Sequence, residues 1–186
     1  MMRVLYGRYY GSRDAAVAAH VPDGASVLEL CCGPARLYLD ELRGRVGSYI
    51  AMDSNAGFVE RLRRRDVDAR QTDVATADLP TADLVLMQAG LYQFLPQAEA
   101  MVRRMVAAAR DRVVISEPVR NLAGSRVPIV ARLAAAGAAT TGGPHPQRFD
   151  EASLDVLMRC FGDAVLLSQP IPGGRERVYV LAGGAR

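Results

Sequence analysis

The chain has 186 residues, of which 50% are hydrophobic, and its formal net charge is +3. This length is typical of one domain and supplies enough apolar residues for a full core. The mild charge and the scarcity of aromatic residues disfavour a nucleic-acid-binding surface, which needs a broad basic face or stacking aromatics. The three cysteines form neither an even-numbered disulfide set nor a CxxC metal motif, so we expect a cytoplasmic protein without a bound metal.

Strand-like and helix-like segments alternate along the chain. The predicted strands are Ser26–Leu30, Ser48–Met52, Val67–Thr72, Ala82–Gln88, Arg112–Ser116, Ala164–Ser168 and Arg177–Leu181. The predicted helices are Pro34–Leu42, Ala56–Arg65, Pro96–Ala109 and Glu151–Phe161. This alternation predicts an α/β fold, a doubly wound and mostly parallel seven-stranded sheet with helices on both faces. No helix separates the last two strands, and their turn-rich connection predicts a C-terminal antiparallel hairpin.

Polar residues lie at the ends of five successive predicted strands. In chain order these residues are Glu29, Asp53, Asp73, Gln88 and Glu117. In open α/β sheets, ligands bind beyond the carboxyl ends of the strands. The five residues therefore predict a ligand site along one edge of the sheet.

The turn after the first strand indicates which kind of ligand to expect. A dinucleotide fingerprint needs glycines where Cys31 and Arg36 stand, and only Gly33 complies. No phosphate-binding Gly-Lys-Ser/Thr loop follows any strand. Asp53 lies twenty positions after Gly33, which is the spacing expected of a ribose-binding carboxylate. The turn therefore favours a nucleoside without phosphates.

With these residues, the sequence resembles the class I, seven-stranded S-adenosylmethionine-dependent methyltransferases. Their first motif runs acidic-x-Gly-x-Gly-x-Gly after an apolar strand. This chain has Glu29-Leu30-Cys31-Cys32-Gly33-Pro34-Ala35, in which Cys31 and Ala35 replace two of the glycines. The resemblance extends from about Ser12 to the end of the chain. It implies methyl transfer to an oxygen or nitrogen atom of a small-molecule acceptor, with S-adenosyl-L-methionine as cofactor and S-adenosyl-L-homocysteine as product.

The resemblance also assigns residues to the methionine and ribose parts of the cofactor. Glu29, Cys31 and Gly33 would lie beside the methionine part, and Tyr10 would bond its carboxylate. Asp53 would bind the ribose hydroxyl groups. The alternative for Glu29 is a cap or an ion pair with an arginine, and the alternative for Asp53 is a simple turn.

The adenine end of the cofactor is assigned in the same way. Ser54 would touch the adenine edge, Asp73 would hydrogen-bond to the ring and Val74 would flank it. Gln88 would border both cofactor and substrate. Asp73 also fits an ordinary loop, since Asp78 and Pro80 follow it closely.

Three residues are candidates for the substrate side of the site. Tyr92 follows the fourth strand and Glu117 ends the fifth. His145 lies in a loop rich in glycine and proline, where its ordinary pKa near 6.5 suits a general base, although a solvent-facing role is the stronger alternative. The long segment 119–148 is predicted to be a substrate lid, with a dimer contact as the alternative.

The prediction is thus one methyltransferase-like domain over residues 1–186, in which residues 1–20 form an N-terminal cover. We expect a monomer or homodimer that binds neither nucleic acid nor a membrane, because the longest nearly uncharged segment, Val127–Thr140, is shorter than the ~20 apolar residues of a span. Two other functions remain possible. One is an NAD(P)-dependent reductase, and the other is a non-catalytic partner subunit with a cofactor-binding fold.

Overall fold

A computed structural model describes the backbone of residues 10–119 and 147–184. Its strands are β1 Ser26–Leu30, β2 Ser48–Asp53, β3 Asp68–Gln71, β4 Ala82–Gln88, β5 Ala109–Pro118, β6 Val165–Pro170 and β7 Glu176–Ala182. They form one sheet in the order β3-β2-β1-β4-β5-β7-β6. The predicted seven-stranded sheet is therefore confirmed.

The strand directions decide where a ligand can bind. Strands β1 to β5 are parallel, and β7 runs antiparallel to both β5 and β6. The predicted C-terminal hairpin is thus confirmed. Because β1, β2, β4 and β5 are parallel, the residues that follow them meet at one edge of the sheet.

Among the described residues, four α-helices accompany the sheet: α1 Tyr10–Ala18, α2 Ala56–Arg63, α3 Ala98–Ala108 and α4 Glu151–Arg159. Local capping explains two of the starts. The Asn55 side chain accepts the N–H groups of Gly57 and Phe58 at the start of α2. Asp150 and Ser153 form a reciprocal capping box at the start of α4. Helix α1 was not among the helices predicted from the sequence.

Buried apolar residues form one cluster on each face of the sheet. One cluster joins Leu28 and Met87 of the sheet to Met105 of α3 and Leu154 of α4. The other joins sheet residues such as Leu86 to side chains of α1 and α2, among them Val17 and Val59. Helices therefore cover both faces, as the sequence predicted.

The segment after β1 differs from its prediction as a helix over Pro34–Leu42. Gly33 and Ala35 both have a positive φ, 53° and 47°, so the chain is still turning at these residues. The helical part is shorter and contains a π-helical turn over Tyr38–Leu42. Within the described ranges, no helix is long and apolar enough to cross a membrane.

Candidate functional site

The loops after β1 and β2 are joined directly by Gly33 and Asp53. The Gly33 N–H donates to Asp53 Oδ2 over 2.8 Å, and the Asn55 N–H donates to Oδ1 over 2.8 Å. Each carboxylate oxygen keeps further capacity to accept a hydrogen bond. The twenty-residue spacing seen in the sequence therefore corresponds to a direct contact at the carboxyl edge of the sheet.

Glu29 lies in β1 and is buried, with 2% of its surface exposed. Tyr49 donates a hydrogen bond to its Oε2 over 2.5 Å, and the Gln88 side chain is a second hydrogen-bond partner. Burial raises the pKa of the Glu29 carboxyl to about 7. The Tyr49 ring is in turn stacked on Tyr38, with 3.8 Å between the centroids. Glu29 is thus held by a phenol and an amide instead of the arginine pair considered from the sequence.

Gln88 ends β4 and provides a hydrogen-bond acceptor, its side-chain Oε1. This atom is buried and accepts no hydrogen bond from the residues that the structure describes. Buried polar atoms without a partner are uncommon in native proteins, so such an atom indicates a missing ligand group or water. Gln88 therefore offers a free acceptor next to Glu29.

Cys31 stands where these strand-end residues converge. Its backbone φ is 53°, a left-handed conformation that glycine adopts more easily. Burial, together with the nearby carboxyl groups of Asp53, Glu117, Asp73 and Glu29, raises the pKa of its thiol to about 12. The fold thus gathers the four predicted carboxylates around one thiol, which stays protonated and unreactive at neutral pH.

The loop after β3 carries the residues predicted for adenine. Asp73 is exposed, and its Oδ1 accepts the Ala75 N–H over 2.9 Å. Its carbonyl oxygen accepts the N–H groups of Thr76 and Ala77. Val74 is buried in the core, and its own N–H donates no hydrogen bond within the described part of the chain. Ser54, predicted to touch the same ring, is an exposed residue directly after β2.

Glu117 lies in β5 on the predicted substrate side and is 1% exposed. Its Oε2 accepts the Leu91 N–H over 3.0 Å, and the Tyr92 N–H is also a hydrogen-bond partner of this carboxyl. Its Oε1 is buried and has no hydrogen-bond partner within residues 10–119 and 147–184. Burial raises the pKa of the Glu117 carboxyl to about 8. A second unused acceptor therefore lies beside the loop after β4.

The Tyr92 side chain is buried, and the Arg148 guanidinium lies over its ring at 3.6 Å from the centroid. Tyr10 begins α1, but its side chain lies outside the described residues, as do His145 and residues 120–146 of the predicted lid. These three assignments stay predictions. Within residues 10–119 and 147–184, no three His, Cys, Asp or Glu side chains are grouped to hold a metal ion.

A buried ionic cluster between α1 and the sheet was not predicted from the sequence. Arg13 Nε lies 3.5 Å from Asp14 Oδ1, and Arg13 also donates to Glu176 Oε1 over 3.4 Å. Ser116 donates to the other Glu176 oxygen over 3.2 Å. These contacts link α1 to β5 and β7. The only sequence signal for the cluster is an acidic residue at the start of the apolar strand β7.

No protein-family model and no curated protein matches the chain. Several solved structures match at low sequence identity. The magnesium protoporphyrin IX methyltransferase of Synechocystis PCC 6803, solved with S-adenosylhomocysteine, is 14% identical with a TM-score of 0.67, over 98% of this chain and 93% of that one. A putative methyltransferase of Haloferax volcanii, in complex with a methyltransferase activator, is 13% identical with a TM-score of 0.72 over the same shares.

A third match is the N-methyltransferase NodS of Bradyrhizobium japonicum WM9. It is 13% identical with a TM-score of 0.64, over 95% of this chain and 97% of that one. Together with the strand order, these matches show that the chain has the class I S-adenosylmethionine-dependent methyltransferase fold.

Proposed function

We propose that this protein is an S-adenosylmethionine-dependent methyltransferase that acts on an oxygen or nitrogen atom of a small molecule. The observation that carries the proposal is the hydrogen bond between the Gly33 N–H and Asp53 Oδ2. It places a carboxylate with spare acceptor capacity over the turn that follows β1, where the fold binds its ligands. A fold can host several functions, so the proposal rests on this site and not on the fold alone.

The residues at the site fit the cofactor. Asp53 retains acceptor capacity for the ribose hydroxyl groups. The N–H of Val74, beside Asp73, donates to none of the described residues and is a donor available to adenine. The unpaired Gln88 Oε1, with Glu29 next to it, suits the ammonium group of the methionine part. Tyr10, Cys31, Gly33 and Ser54 complete the proposed binding set.

When bound, S-adenosylmethionine supplies a methyl group on a positively charged sulfur. The carboxylates of Asp53 and Asp73, which lie near Cys31, make the site negative and so favour a cation there. The same carboxylates and burial keep the Cys31 thiol protonated. A protonated thiol is a poor nucleophile, so Cys31 does not compete with the acceptor for the methyl group.

On the substrate side, Glu117 is proposed to accept the proton that a hydroxyl or amine acceptor releases. Its Oε1 is unpaired, and its raised pKa makes it a stronger base than an ordinary carboxylate once it is ionised. Tyr92 and His145 are proposed to complete this side beneath the segment 119–148. Most of the remaining catalysis is orientation of the acceptor in line with the methyl group and the sulfur.

Titration calorimetry with S-adenosylmethionine and S-adenosylhomocysteine tests the proposal. We expect both to bind and NADPH not to bind. Binding of NADPH alone would favour the reductase, and binding of none of the three would reject a cofactor site. A second assay incubates the protein and S-adenosylmethionine with pooled phenols and amines and measures S-adenosylhomocysteine. Cofactor binding without turnover on any pool, together with a stable heteromeric partner on purification, would favour the non-catalytic subunit.

A further inference from the structure

Arg104 of α3 holds the loop that follows β3. Its guanidinium donates hydrogen bonds to three backbone carbonyl oxygens, those of Val74, Ala75 and Ala77. The guanidinium carries five N–H donors in a fixed planar fork, so one side chain can serve several carbonyls at once. The loop is thus tied to a helix that is distant in sequence.

These bonds act together with hydrogen bonds inside the loop to orient its peptide groups. The carbonyl of Asp73 already accepts Thr76 and Ala77, and the Asp73 side chain accepts Ala75. Since a peptide group is planar, its N–H and C=O point in opposite directions. The Val74 N–H, opposite the Asp73 carbonyl, is the donor that this pattern leaves unpaired.

The side chain of Val74 is fixed as well. It is 4% exposed and packs in the same core cluster as Met101 and Met105 of α3. The helix therefore holds the loop through Arg104 at the carbonyls, and Val74 is anchored in the core cluster to which the helix contributes. The Asp73 carboxylate is oriented by the bond that it accepts from the Ala75 N–H, and the direction of the Val74 N–H follows from the loop backbone.

We propose that Arg104 is a positioning residue for base recognition, which sets the direction of the Val74 N–H and of Asp73 and so selects adenine over other bases. The inference rests on the proposed function, because it takes the cofactor site to be where that proposal puts it. Arg104 itself does not touch the cofactor. Its effect is exerted through the loop backbone.

The chain provides a matched control for this residue. Arg103 is the preceding residue of α3 and is exposed, and its guanidinium pairs with Glu99 one turn earlier. Replacing Arg103 removes the same charge from the same helix without touching the loop. Arg104→Met keeps much of the side-chain length without donors, and Arg104→Lys keeps the charge without the planar fork.

The experiment measures the Kd of S-adenosylhomocysteine and of its inosine analogue, which lacks the 6-amino group of adenine, by calorimetry. We expect the unaltered protein to prefer the adenine compound. In Arg104→Met the Kd of the adenine compound should rise about tenfold, the loss expected for one misplaced hydrogen bond, while the Kd of the analogue changes little. Arg104→Lys should lie between, and Arg103→Met should behave like the parent.

The ratio of the two Kd values is the deciding quantity, because general damage to the fold would weaken both ligands alike. An unchanged ratio in Arg104→Met would overturn the inference. If Arg104→Met does not fold, the ratio in Arg104→Lys decides by the same criterion. Failure of the parent protein to bind S-adenosylhomocysteine would instead reject the proposed function, so the two failures are distinguishable.

Discussion

The 2.8 Å hydrogen bond from the Gly33 N–H to Asp53 Oδ2 joins two loops that are twenty residues apart in sequence. The bond fixes the Asp53 carboxylate above the turn after β1. It also leaves room at both oxygens for the hydroxyl groups of a ribose. A single side chain therefore stabilises the loop geometry and provides the proposed ligand contact.

Asp53→Ala is expected to weaken the binding of S-adenosylhomocysteine by about 10- to 100-fold, because it removes a charged hydrogen-bond acceptor. Calorimetry measures the change in Kd. Asp111→Ala is the control, since Asp111 lies near the amino end of β5, is half-exposed and pairs with Arg112. Equal affinity of the Asp53 and Asp111 variants would contradict the assignment of Asp53.

The two adjacent cysteines should respond oppositely to replacement by glycine. Cys31 has a φ of 53°, where a non-glycine residue costs about 1–2 kcal/mol, and this strain outweighs the extra chain entropy that glycine brings to the unfolded state. Cys31→Gly should therefore leave the free energy of unfolding unchanged or raise it by up to about 1 kcal/mol. Cys32 is buried and is not among the residues with positive φ, so Cys32→Gly should lower it by about 1–3 kcal/mol.

Unfolding in urea, followed by circular dichroism, gives both values. The two variants control for each other, because each replaces one of two adjacent cysteines by glycine. A clear loss of stability in Cys31→Gly would show that the contacts of its side chain matter more than the backbone strain.

The Cys31 side chain also leaves no space for a side chain at Gly90, in the loop after β4. A Cβ on Gly90 would lie 3.0 Å from the Cys31 Cβ and 3.1 Å from Met87 Cγ. Gly90 has a φ of −123°, which any residue adopts, so only space disfavours a side chain there. We expect Gly90→Ala to lower the free energy of unfolding by about 1–2 kcal/mol through overpacking.

A double-mutant cycle checks the cause of that loss. In a Cys31→Gly background the nearest Cβ is absent, so Gly90→Ala should cost less, by at least about 0.5 kcal/mol. Equal costs in both backgrounds would locate the strain at Met87 instead.

The fold could be predicted closely because its strands are apolar runs with distinct ends. The predicted and observed bounds of β1 and β4 agree. Strand β5 is longer than predicted, Ala109–Pro118, because it pairs with β4 from Ala109 and with β7 as far as Pro118. Hydrogen-bond pairing of this kind leaves no trace in the alternation of apolar residues.

The site residues that could be predicted are those whose role follows from their position at a strand end or from their spacing along the chain. Asp53 and Gly33 were found through their spacing, and their contact is now seen. The bond from Tyr49 to Glu29 and the three bonds from Arg104 join elements that only the tertiary fold brings together. In the sequence, Arg104 is one of two adjacent arginines in an amphipathic helix, and this pattern does not indicate that it binds the loop after β3.

The buried carboxyl groups predict how stability depends on pH. Burial raises the pKa of Glu117 to about 8 in the folded protein, whereas an ordinary glutamate in the unfolded chain titrates near 4.5. Between these values the folded state holds a proton that the unfolded state has lost, so the free energy of unfolding falls as the pH rises. Glu29, with a pKa of about 7, acts in the same direction.

Glu117→Gln should therefore reduce the loss of stability between pH 5 and pH 8.5 by at least about 1 kcal/mol, since each unit of pKa difference corresponds to about 1.4 kcal/mol. The amide oxygen can still accept the Leu91 N–H, so the loop after β4 should keep its shape. Thermal unfolding across this pH range measures the effect. Glu99→Gln, on the partly exposed face of α3, is the control and should follow the parent. A Glu117→Gln protein with the pH profile of the parent would show that Glu117 is already ionised at neutral pH, and its proposed role as a base with a raised pKa would fail with it.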